Sequence, residues 1–377
     1  MTVRPGTAAT GAAGADALKL TSYFGERQRE AAGRFTADAL LDLYGQHSLA
    51  ASVLLRGAEG FGVKQRLRTD VSLTLSEDLP LIAVAVDRRE RIEEVAGPTA
   101  RLLRSGLVTL ERAQLLSGDL SGARLPGEDA VAGADGAAYD ETKLTVYLGR
   151  QERVYRMPAY MAVCDLLHRR GAAGATALLG VDGTVRGARE RASFFSRNAA
   201  TPMMVIAVGQ GTLFGRVLPE LGGLLRQPLL TVEQVRICKR DGKLLCGPSA
   251  LPGADPSGMP LWHKLMVYTS ESALHDGQPV HREIVRRLRA AGLAGATTQR
   301  GIWGFHGDHA PHGDRLLQAG RRVPVVTIVI DAPERIAAAF DVIDPLTAEQ
   351  GLVTSETVPA VRLAGGTGLP GVFPYGA

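Results

Sequence analysis

The sequence contains few cysteines, few aromatic residues and little net charge. Its 377 residues include three cysteines, 5% aromatic residues and a formal net charge of +4. Cys164, Cys238 and Cys246 form no CxxC pair, so we expect reduced thiols in the core and neither a disulfide framework nor a zinc knuckle. The small net charge and the few stacking side chains argue against a nucleic-acid partner.

Long apolar segments are also missing. The run from 202 to 208 is one of the longest, and it is far too short to cross a bilayer. Residues 1–17 carry one arginine and no continuous apolar stretch, so we expect no secretory signal. These features predict a cytoplasmic protein with disordered tails at 1–17 and 364–377.

One pattern is present three times. Lys19-Leu20-Thr21 returns as Lys143-Leu144-Thr145 and, in part, as Lys264-Leu265. The spacing of about 122 residues is too long for a solenoid repeat, so each copy is predicted to be a domain. Three prolines keep the same register and each opens an apolar run: Pro80, Pro202 and Pro324.

The repeats are separated by segments rich in glycine, proline and alanine. These segments lack periodicity and are therefore predicted to be linkers. The predicted repeats cover 18–116, 142–239 and 263–363, and the predicted linkers cover 117–141 and 240–262.

Within a repeat, the hydrophobic periodicity alternates between strand and helix. In the first repeat it predicts strands at 18–25, 50–55, 80–86 and from Leu107, and helices at 36–46 and 88–104. The order βαββαβ is that of a ferredoxin-like α+β domain. Both helices would cover one face of the antiparallel sheet, and the other face is apolar at alternate positions. Packing three such faces together would bury them, so we expect an intramolecular pseudo-trimer that is a monomer in solution.

Three motifs carry a resemblance to a known family. KLTSYFGE at 19–26, RGAEGFG at 56–62 and SEDLPLIAVAVD at 76–87 are similar to the PII-like bacterial family called domain of unknown function 190. RGIWGFHG at 300–307 follows the pattern, whereas LGVDGTVRG at 179–187 has lost its GFG core. The resemblance covers the chain apart from linkers and tails. It implies PII-like domains related to PII nitrogen-regulatory proteins, which are ferredoxin-like trimers that bind nucleotides between subunits.

The glycine-rich loops are the candidate ligand site. Their glycines can adopt positive φ, which would turn successive backbone N–H groups inward as an anion-binding nest, and the cations that follow supply charge for phosphate or carboxylate. The alternative is a hairpin bend with solvated cations. Candidate residues in the first repeat are Arg56, Gly57, Gly60, Phe61, Gly62, Lys64, Arg66 and Arg68. The third repeat offers Arg300, Gly301, Gly304, Phe305 and Gly307.

The identity of the ligand stays open. In PII proteins a glycine-rich segment with a lysine reaches the phosphates after the second helix, whereas the segments at 104–109, 226–231 and 348–354 are short and lack it. The cofactor is therefore either an adenine nucleotide or another small anion. We expect Lys64 and Arg66 to carry the charge recognition of the first loop.

Histidines crowd the loop of the third repeat. His306, His309 and His312, beside two aspartates, could hold a divalent metal. Spacings of three in a loop do not fix a ligand geometry as a helix would. His312 also lies at the register position of Arg68, where it could contact the same anion.

No catalytic arrangement is found in register. A nucleophile beside a base, or paired carboxylates, would be expected to recur among the repeats, and none was recognised. Cys164 and His168 lie four residues apart on a predicted helix, which a packed helix face explains. GQGTLFG at 209–215 has Phe214 where a dinucleotide fingerprint needs glycine, which favours a helix-opening turn. We therefore expect that the protein is not an enzyme.

The resemblance implies a signalling or regulatory protein. A small anionic metabolite would bind between repeats and order the loops at 57–70 and 301–314, which would then engage a partner; the resemblance suggests a membrane transporter or channel. The second loop, where Thr184 and Val185 replace Phe61-Gly62, is expected not to bind. Two alternatives stay open, namely a metal-responsive protein that uses the histidine loop and a structural adaptor without a ligand.

Overall fold

The structure is a computed structural model, and it describes most of the chain. The described residues are 14–62, 65–70, 78–125, 141–185, 188–189, 201–248, 254, 260–307, 309–313, 323–364 and 367–368. They form a mixed α/β protein with six helices and a mostly antiparallel sheet. None of these described helices combines the length and the apolar composition that crossing a membrane requires.

Each repeat has a first strand, a first helix, a second strand, a loop strand, a third strand, a second helix and a fourth strand. In repeat 1 these are Ala15–Gly25, Thr36–Gln46, Ala51–Arg56, Glu59–Phe61, Pro80–Arg88, Arg89–Leu102 and Gly106–Ser117. In repeat 2 they are Glu141–Gly149, Ala159–Arg169, Gly174–Leu179, Asp182–Val185, Pro202–Gln210, Gly211–Leu224 and Leu229–Arg240. In repeat 3 they are Leu261–Ser270, Val280–Ala290, Ala296–Arg300, Trp303–His306, Pro324–Asp331, Pro333–Leu346 and Leu352–Ala364.

Short two-residue strands lie in the connections. They are Arg68–Thr69, Arg153–Val154, Met157–Pro158, Ala188–Arg189, Lys243–Leu244, Leu274–His275, Gln278–Pro279, His312–Gly313 and Thr367–Gly368. Those at Arg68–Thr69 and His312–Gly313 pair with the loop strands of their own repeats, so each of these loops is a hairpin.

The hydrophobic periodicity explains where the elements form. The helix predicted at 36–46 is Thr36–Gln46, and it buries Leu40, Leu41 and Tyr44 on one face. The strand that begins at Pro80 is buried along nearly its whole length. The helices cover one face of this strand and the other repeats cover the opposite face. A strand that is buried on both faces has a continuous apolar sequence rather than an alternating one.

The sheet of each repeat is antiparallel in the order fourth, first, third and second strand. In repeat 1, the first strand pairs with the third and fourth strands, and the second strand pairs with the third. Repeats 2 and 3 have the same pairings. The two helices of repeat 1 pack on one face of its sheet, in a cluster that includes Leu20, Tyr44 and Ile92.

The repeats are joined by strand pairing in a closed cycle. The loop strand of repeat 1 pairs with the second strand of repeat 3, that of repeat 3 with repeat 2, and that of repeat 2 with repeat 1. The fourth strands also pair with one another, each with both of the others. The three repeats therefore occupy equivalent positions around a common centre.

The second faces of the three sheets meet in one apolar cluster. Its members come from every repeat and include Val84, Tyr147, Ile206, Met266 and Ile328. The prediction that the alternating apolar positions pack the sheets against one another is confirmed. Part of the first predicted linker packs on repeat 2 instead, because Leu120 and Leu125 are buried in a second cluster together with residues of the repeat 2 helices.

Candidate functional site

Six charged side chains form a closed ring where the three repeats meet. This central ring consists of Lys19, Lys143 and Lys264 from the first strands and Glu111, Glu233 and Glu356 from the fourth strands. All six are buried, and each lysine lies within 3.2 Å of two glutamates. The distances from Nζ to the carboxylate oxygens are 2.6 Å for Lys19–Glu111, 2.5 Å for Lys19–Glu233, 2.8 Å for Lys143–Glu233, 2.5 Å for Lys143–Glu356, 3.2 Å for Lys264–Glu356 and 3.0 Å for Lys264–Glu111.

The ring keeps its groups charged despite their burial. Burial alone would lower the pKa of Lys19, but the carboxylates of Glu111 and Glu233 raise it above its ordinary value. Burial would raise the pKa of Glu111, and the neighbouring ammonium groups hold it well below its ordinary value. Thr21 and Thr109 also donate hydrogen bonds to Glu111, at 3.1 Å and 3.0 Å.

The search of the sequence for paired carboxylates missed a single glutamate that recurs in each repeat. Glu111, Glu233 and Glu356 occupy equivalent positions, and their carboxylate oxygens lie within 4.8 Å of one another. The sequence contained the signal, since each glutamate follows two residues after the recurring threonine at 109, 231 and 354. The lysines already bind all three carboxylates, so the ring is a balanced ionic core and offers no vacant metal ligands.

An open cleft lies between repeat 1 and repeat 3. Its volume is about 430 Å³. Repeat 1 contributes the end of its first strand, its loop and the start of its fourth strand, and repeat 3 contributes parts of four strands. The apolar lining consists mainly of Tyr23, Phe61, Leu107, Trp262, Ile328 and Ile330.

Four arginines line this cleft from both repeats. Arg27 and Arg66 are exposed at its edge, and the Arg68 guanidinium lies 2.8 Å from the Asp78 carboxylate. Across the cleft, the Arg362 guanidinium lies 4.7 Å from the Trp262 ring centre and 3.7 Å from the Asp331 carboxylate. No described residue pairs with the side chain of Arg66. The cleft thus combines an apolar body with an excess of positive charge.

Gln28 adds a hydrogen-bond donor inside the cleft. Its Oε1 accepts a hydrogen bond of 3.1 Å from Ser105 Oγ. Its buried Nε2 has no acceptor among the described residues. A buried donor without a partner is costly, so a ligand acceptor placed there would stabilise the complex.

The structure brings five of the predicted residues of the first loop into the cleft. Its lining includes Gly60, Phe61, Gly62, Arg66 and Arg68. Arg56 instead pairs with Glu26 at 2.9 Å, and Gly57 packs against Pro80. Lys64 lies outside the described residues.

The first loop does not form the expected anion nest. Gly57, Gly60 and Gly62 are absent from the described residues with positive φ. The N–H of Gly57 donates to Pro80 O, and that of Ala58 donates to Thr298 O. Gly60 is needed for close approach, because a Cβ there would lie 2.5 Å from Ala296 O. Side chains, rather than a cradle of backbone N–H groups, supply the positive charge of the cleft.

The predicted residues of the third loop have protein partners. Arg300 pairs with Asp70 and with Glu271, the latter at 2.7 Å. Phe305 is buried against His168, with ring centres 4.9 Å apart. The remaining three glycines lie at the contact with repeat 2, and one of them also contacts Pro324 of repeat 3. They are Gly301, Gly304 and Gly307, of which Gly301 contacts Pro324.

The three histidines of the third loop do not converge as a set. His306 and His309 stack edge to face with ring centres 5.7 Å apart. Among the described residues, no group of three that includes them brings its ligand atoms within 4.8 Å. Burial lowers the pKa of His306 to about 4, and both its ring nitrogens lack a described hydrogen-bond partner.

Sequence reasoning missed the residues that complete the cleft from outside the loop. Arg27 and Gln28 follow the first strand, and Trp262 and Arg362 lie on the first and fourth strands of repeat 3. Arg27 directly follows the KLTSYFGE motif, so the sequence could have indicated it as a candidate site residue. Trp262 differs in type from its counterparts in the other repeats, Arg362 has an arginine as one of its two counterparts, and only the assembled structure places both residues in the same cleft as Arg68.

Comparisons with known proteins agree with the three repeats. A model of the family domain of unknown function 190, described as "Uncharacterized ACR", matches residues 17–115, 141–237 and 262–360. A "UPF0166 protein" of Aquifex aeolicus (strain VF5) is 31% identical over 99 residues, which are 26% of this chain and 92% of that protein. Among solved structures, aspartate kinase from Synechocystis matches 95% of this chain at 12% identity with a TM-score of 0.21. The match covers 47% of that kinase chain, and a TM-score this low does not establish a shared fold.

Proposed function

The chain belongs to the domain of unknown function 190 family in three tandem copies, and from this premise we propose that it is a PII-like signalling protein. Each repeat is then a ferredoxin-like domain, and the single chain takes the place of a trimer as a pseudo-trimer. The order of the four main strands in each sheet and the cyclic pairing between repeats support this proposal.

The open cleft is the proposed sensing site for a small anionic ligand. The observation that carries the proposal is the convergence of arginines from two repeats on one apolar cleft. Guanidinium groups bind phosphate and carboxylate groups through charge-assisted hydrogen bonds. The apolar walls favour a ligand that also has a flat or hydrophobic body, and an adenine nucleotide is the first candidate.

Ligand binding would connect the first loop to repeat 3. The loop supplies Arg66 and Arg68, whereas Trp262 and Arg362 belong to repeat 3. A ligand that contacts both would favour one loop conformation, because it adds contacts that only this conformation provides. The loop would then modulate a partner, and the family resemblance favours a membrane transporter or channel.

Calorimetry with ATP, AMP, pyrophosphate and citrate tests the sensing site, with Arg66→Ala as the variant. Hydrogen bonds to charged groups contribute about 1.5–3 kcal/mol, so Arg66→Ala should weaken binding about tenfold or more. The melting temperature should not change, because no described residue pairs with the Arg66 side chain. Arg101→Ala is the control, since Arg101 is exposed and does not line the cleft. Absence of binding for every probe would reject an anion sensor and favour an adaptor.

Divalent-metal binding is a second candidate function, favoured by the lowered pKa of His306 and by its ring nitrogens, which lack a partner among the described residues. This buried imidazole is neutral near pH 7, and neutral imidazole is the form that binds metals. Its nitrogens have no described partners, and His309 lies next to it. A zinc titration that raises the melting temperature of the protein, but not that of His306→Phe, would support this function. No shift would remove it.

A further inference from the structure

The cyclic pairing creates three equivalent interfaces, of which the open cleft is one. In the repeat 3–repeat 2 interface, the loop strand Trp303–His306 pairs with Gly174–Leu179. In the repeat 2–repeat 1 interface, the loop strand Asp182–Val185 pairs with Ala51–Arg56. Equivalent residues can therefore be compared directly across the three interfaces.

The two other interfaces bury the residues that the open cleft exposes. Tyr23 and Leu107 are half-buried in the open cleft. Their counterparts are almost completely buried, with Tyr147 2% and Leu229 4% exposed in one interface and Tyr268 4% and Leu352 1% exposed in the other. The same positions thus form part of a cavity wall at one interface and part of the apolar core at the other two.

Longer strand pairing closes the repeat 3–repeat 2 interface. His306 pairs with Gly174, and the N–H of Gly307 donates to Ala173 O. The Asp241 carboxylate occupies the space next to Gly307 that a side chain there would need. In the open cleft, the loop strand of repeat 1 ends one residue earlier, at Phe61 opposite Ala296.

The repeat 2–repeat 1 interface is closed by the same type of pairing. Four residues of the loop strand pair with repeat 1, from Asp182 opposite Leu54 to Val185 opposite Ala51. Ser52 Oγ and Thr184 Oγ1 share a hydrogen bond of 2.8 Å, and the N–H of Thr184 donates to Ser52 Oγ at 3.1 Å. Thr184 replaces the phenylalanine of the other loops, so its hydroxyl stabilises this interface.

Only the open cleft combines an amide side chain, an aromatic ring and a guanidinium group at the three equivalent positions. Gln28 has Glu152 and Ala273 as its equivalents, because these three residues make the same backbone hydrogen bonds. The position of Trp262 is occupied by Glu141 in repeat 2 and by Ala17 in repeat 1. The position of Arg362 is taken by Arg240 and Ser117. Carboxylates at Glu152 and Glu141 would disfavour an anion at either closed interface.

We infer that the chain binds a single anionic ligand molecule, in the open cleft alone, and that recognition combines Arg68 of repeat 1 with Trp262 and Arg362 of repeat 3. This inference rests on the proposed function of the cleft. Trp262 and Arg362 are specificity-determining residues, because an aromatic face and a guanidinium plane can hold a flat ligand body beside its anionic group. The other two equivalent interfaces then have a structural role only.

Cysteine labelling tests the difference between the interfaces without a ligand. Leu107, Leu229 and Leu352 are each replaced by cysteine in the full chain carrying Cys246→Ser, since Cys164 and Cys238 are buried and Cys246 is partly exposed. A methanethiosulfonate with a sulfonate group should label Leu107→Cys at least about tenfold faster than Leu229→Cys or Leu352→Cys. It should also react several-fold faster there than its trimethylammonium analogue, because the cleft attracts anions. Equal labelling of three variants with native melting temperatures would overturn the inference.

Native mass spectrometry with ATP and pyrophosphate tests the number of ligand molecules bound per chain. This measurement does not use the cysteine variants, so it remains decisive if one of them does not fold. We expect one bound molecule per chain, lost in Arg362→Ala and retained in Arg240→Ala, its equivalent in a closed interface. Two or three bound molecules, or the same effect of both variants, would contradict the single site but leave the sensing function intact. If neither of these probes binds and AMP and citrate also fail in the calorimetry, the sensing function fails with the single site built on it, whereas labelling still decides whether the interfaces differ.

Discussion

Single side chains from all three repeats meet in the central ring, where each lysine lies within 3.2 Å of two glutamates. Moving a charge from water into a protein interior is costly, and only close opposite charges compensate for it. Each repeat contributes one lysine and one glutamate, and each lysine reaches the glutamate of a neighbouring repeat only when all three repeats are docked in register. The ring therefore favours this one arrangement of the repeats over other modes of sheet packing.

Replacing Lys143 with methionine should strongly destabilise the protein. Lys143 is fully buried between Glu233 and Glu356, so the change leaves two carboxylates without their shared ammonium group. Breaking a buried pair in this way typically costs about 3–5 kcal/mol. Chemical denaturation of the variant and the parent protein measures the loss in the free energy of unfolding.

Arg170→Met is the matched control, because Arg170 pairs with Glu220 at 2.6 Å on an exposed helix surface. Exposed pairs contribute little, so this change should leave the denaturation midpoint nearly unchanged. Adding Glu356→Gln to Lys143→Met should restore part of the lost stability, since it removes one of the uncompensated charges. Equal effects of Lys143→Met and Arg170→Met would show that the ring does not stabilise the fold.

The burial of Glu59 predicts that the free energy of unfolding depends on pH. This residue is buried on the loop strand of repeat 1 at the contact with repeat 3, and burial raises its pKa to about 7. Because the pKa is higher in the folded than in the unfolded state, this group stabilises the folded protein most below about pH 4.5, and the contribution is lost as the pH rises through about 7. Its contribution to the free energy of unfolding should thus decrease over this range.

Glu59→Gln keeps the shape of the protonated side chain and removes the titration. Melting temperatures of the parent and the variant at about pH 5 and about pH 8 should differ more at the higher pH, where the variant is the more stable protein. If the difference between the two proteins is the same at both pH values, Glu59 does not titrate with a raised pKa.

At the scale of elements, glycine determines whether strands from different repeats can approach. The loop strand of repeat 1 passes so close to repeat 3 that a Cβ at Gly60 would lie 2.5 Å from Ala296 O. Gly62, two residues later, has open space around it. The two glycines belong to the same motif, yet only Gly60 is required by the contact.

Gly60→Val should therefore loosen the pairing between the two strands. Overpacking of this kind costs about 1–3 kcal/mol, so the melting temperature should fall by several degrees. Gly62→Ala is the control and should melt like the parent protein. Calorimetry of the two variants measures the difference, and a similar loss for both would indicate that close approach is not what requires Gly60.

The elements themselves could largely be predicted from local patterns. The first helix of repeat 1 has its predicted bounds, and the helix predicted at 88–104 is Arg89–Leu102. These predictions succeed because helix and strand periodicities depend on neighbouring residues. The loop strands were not predicted, because Glu59–Phe61 becomes a strand only by pairing with Ala296–Thr298 of another repeat.

At the scale of the whole molecule, the cyclic pairing leads us to expect a monomer. Each described loop strand is paired with another repeat of the same chain, and the fourth strands pair among themselves. The contacts that would join separate subunits are thus made within one chain. Sedimentation equilibrium should give the mass of one chain, 39.9 kDa. A mass near three chains would contradict this expectation.

The sequence by itself determined the three repeats, their order of strands and helices, and the family to which they belong. All of these depend on patterns that are local or that recur along the chain, so they can be read without knowing which repeats touch. The first loop was also found as a candidate site, because its glycines and arginines stand together in one motif.

Only the tertiary structure decided how the charges are paired and which interface is open. The central ring joins Lys19 to Glu233, and the open cleft places Arg68 opposite Arg362. Such contacts depend on the cyclic docking of the repeats, which brings together residues that are more than two hundred positions apart. The open cleft further depends on a loop strand that ends one residue earlier than its counterpart in repeat 3. That difference arises from the packing of neighbouring repeats, because strand pairing is formed by two segments together and is not encoded in either one alone.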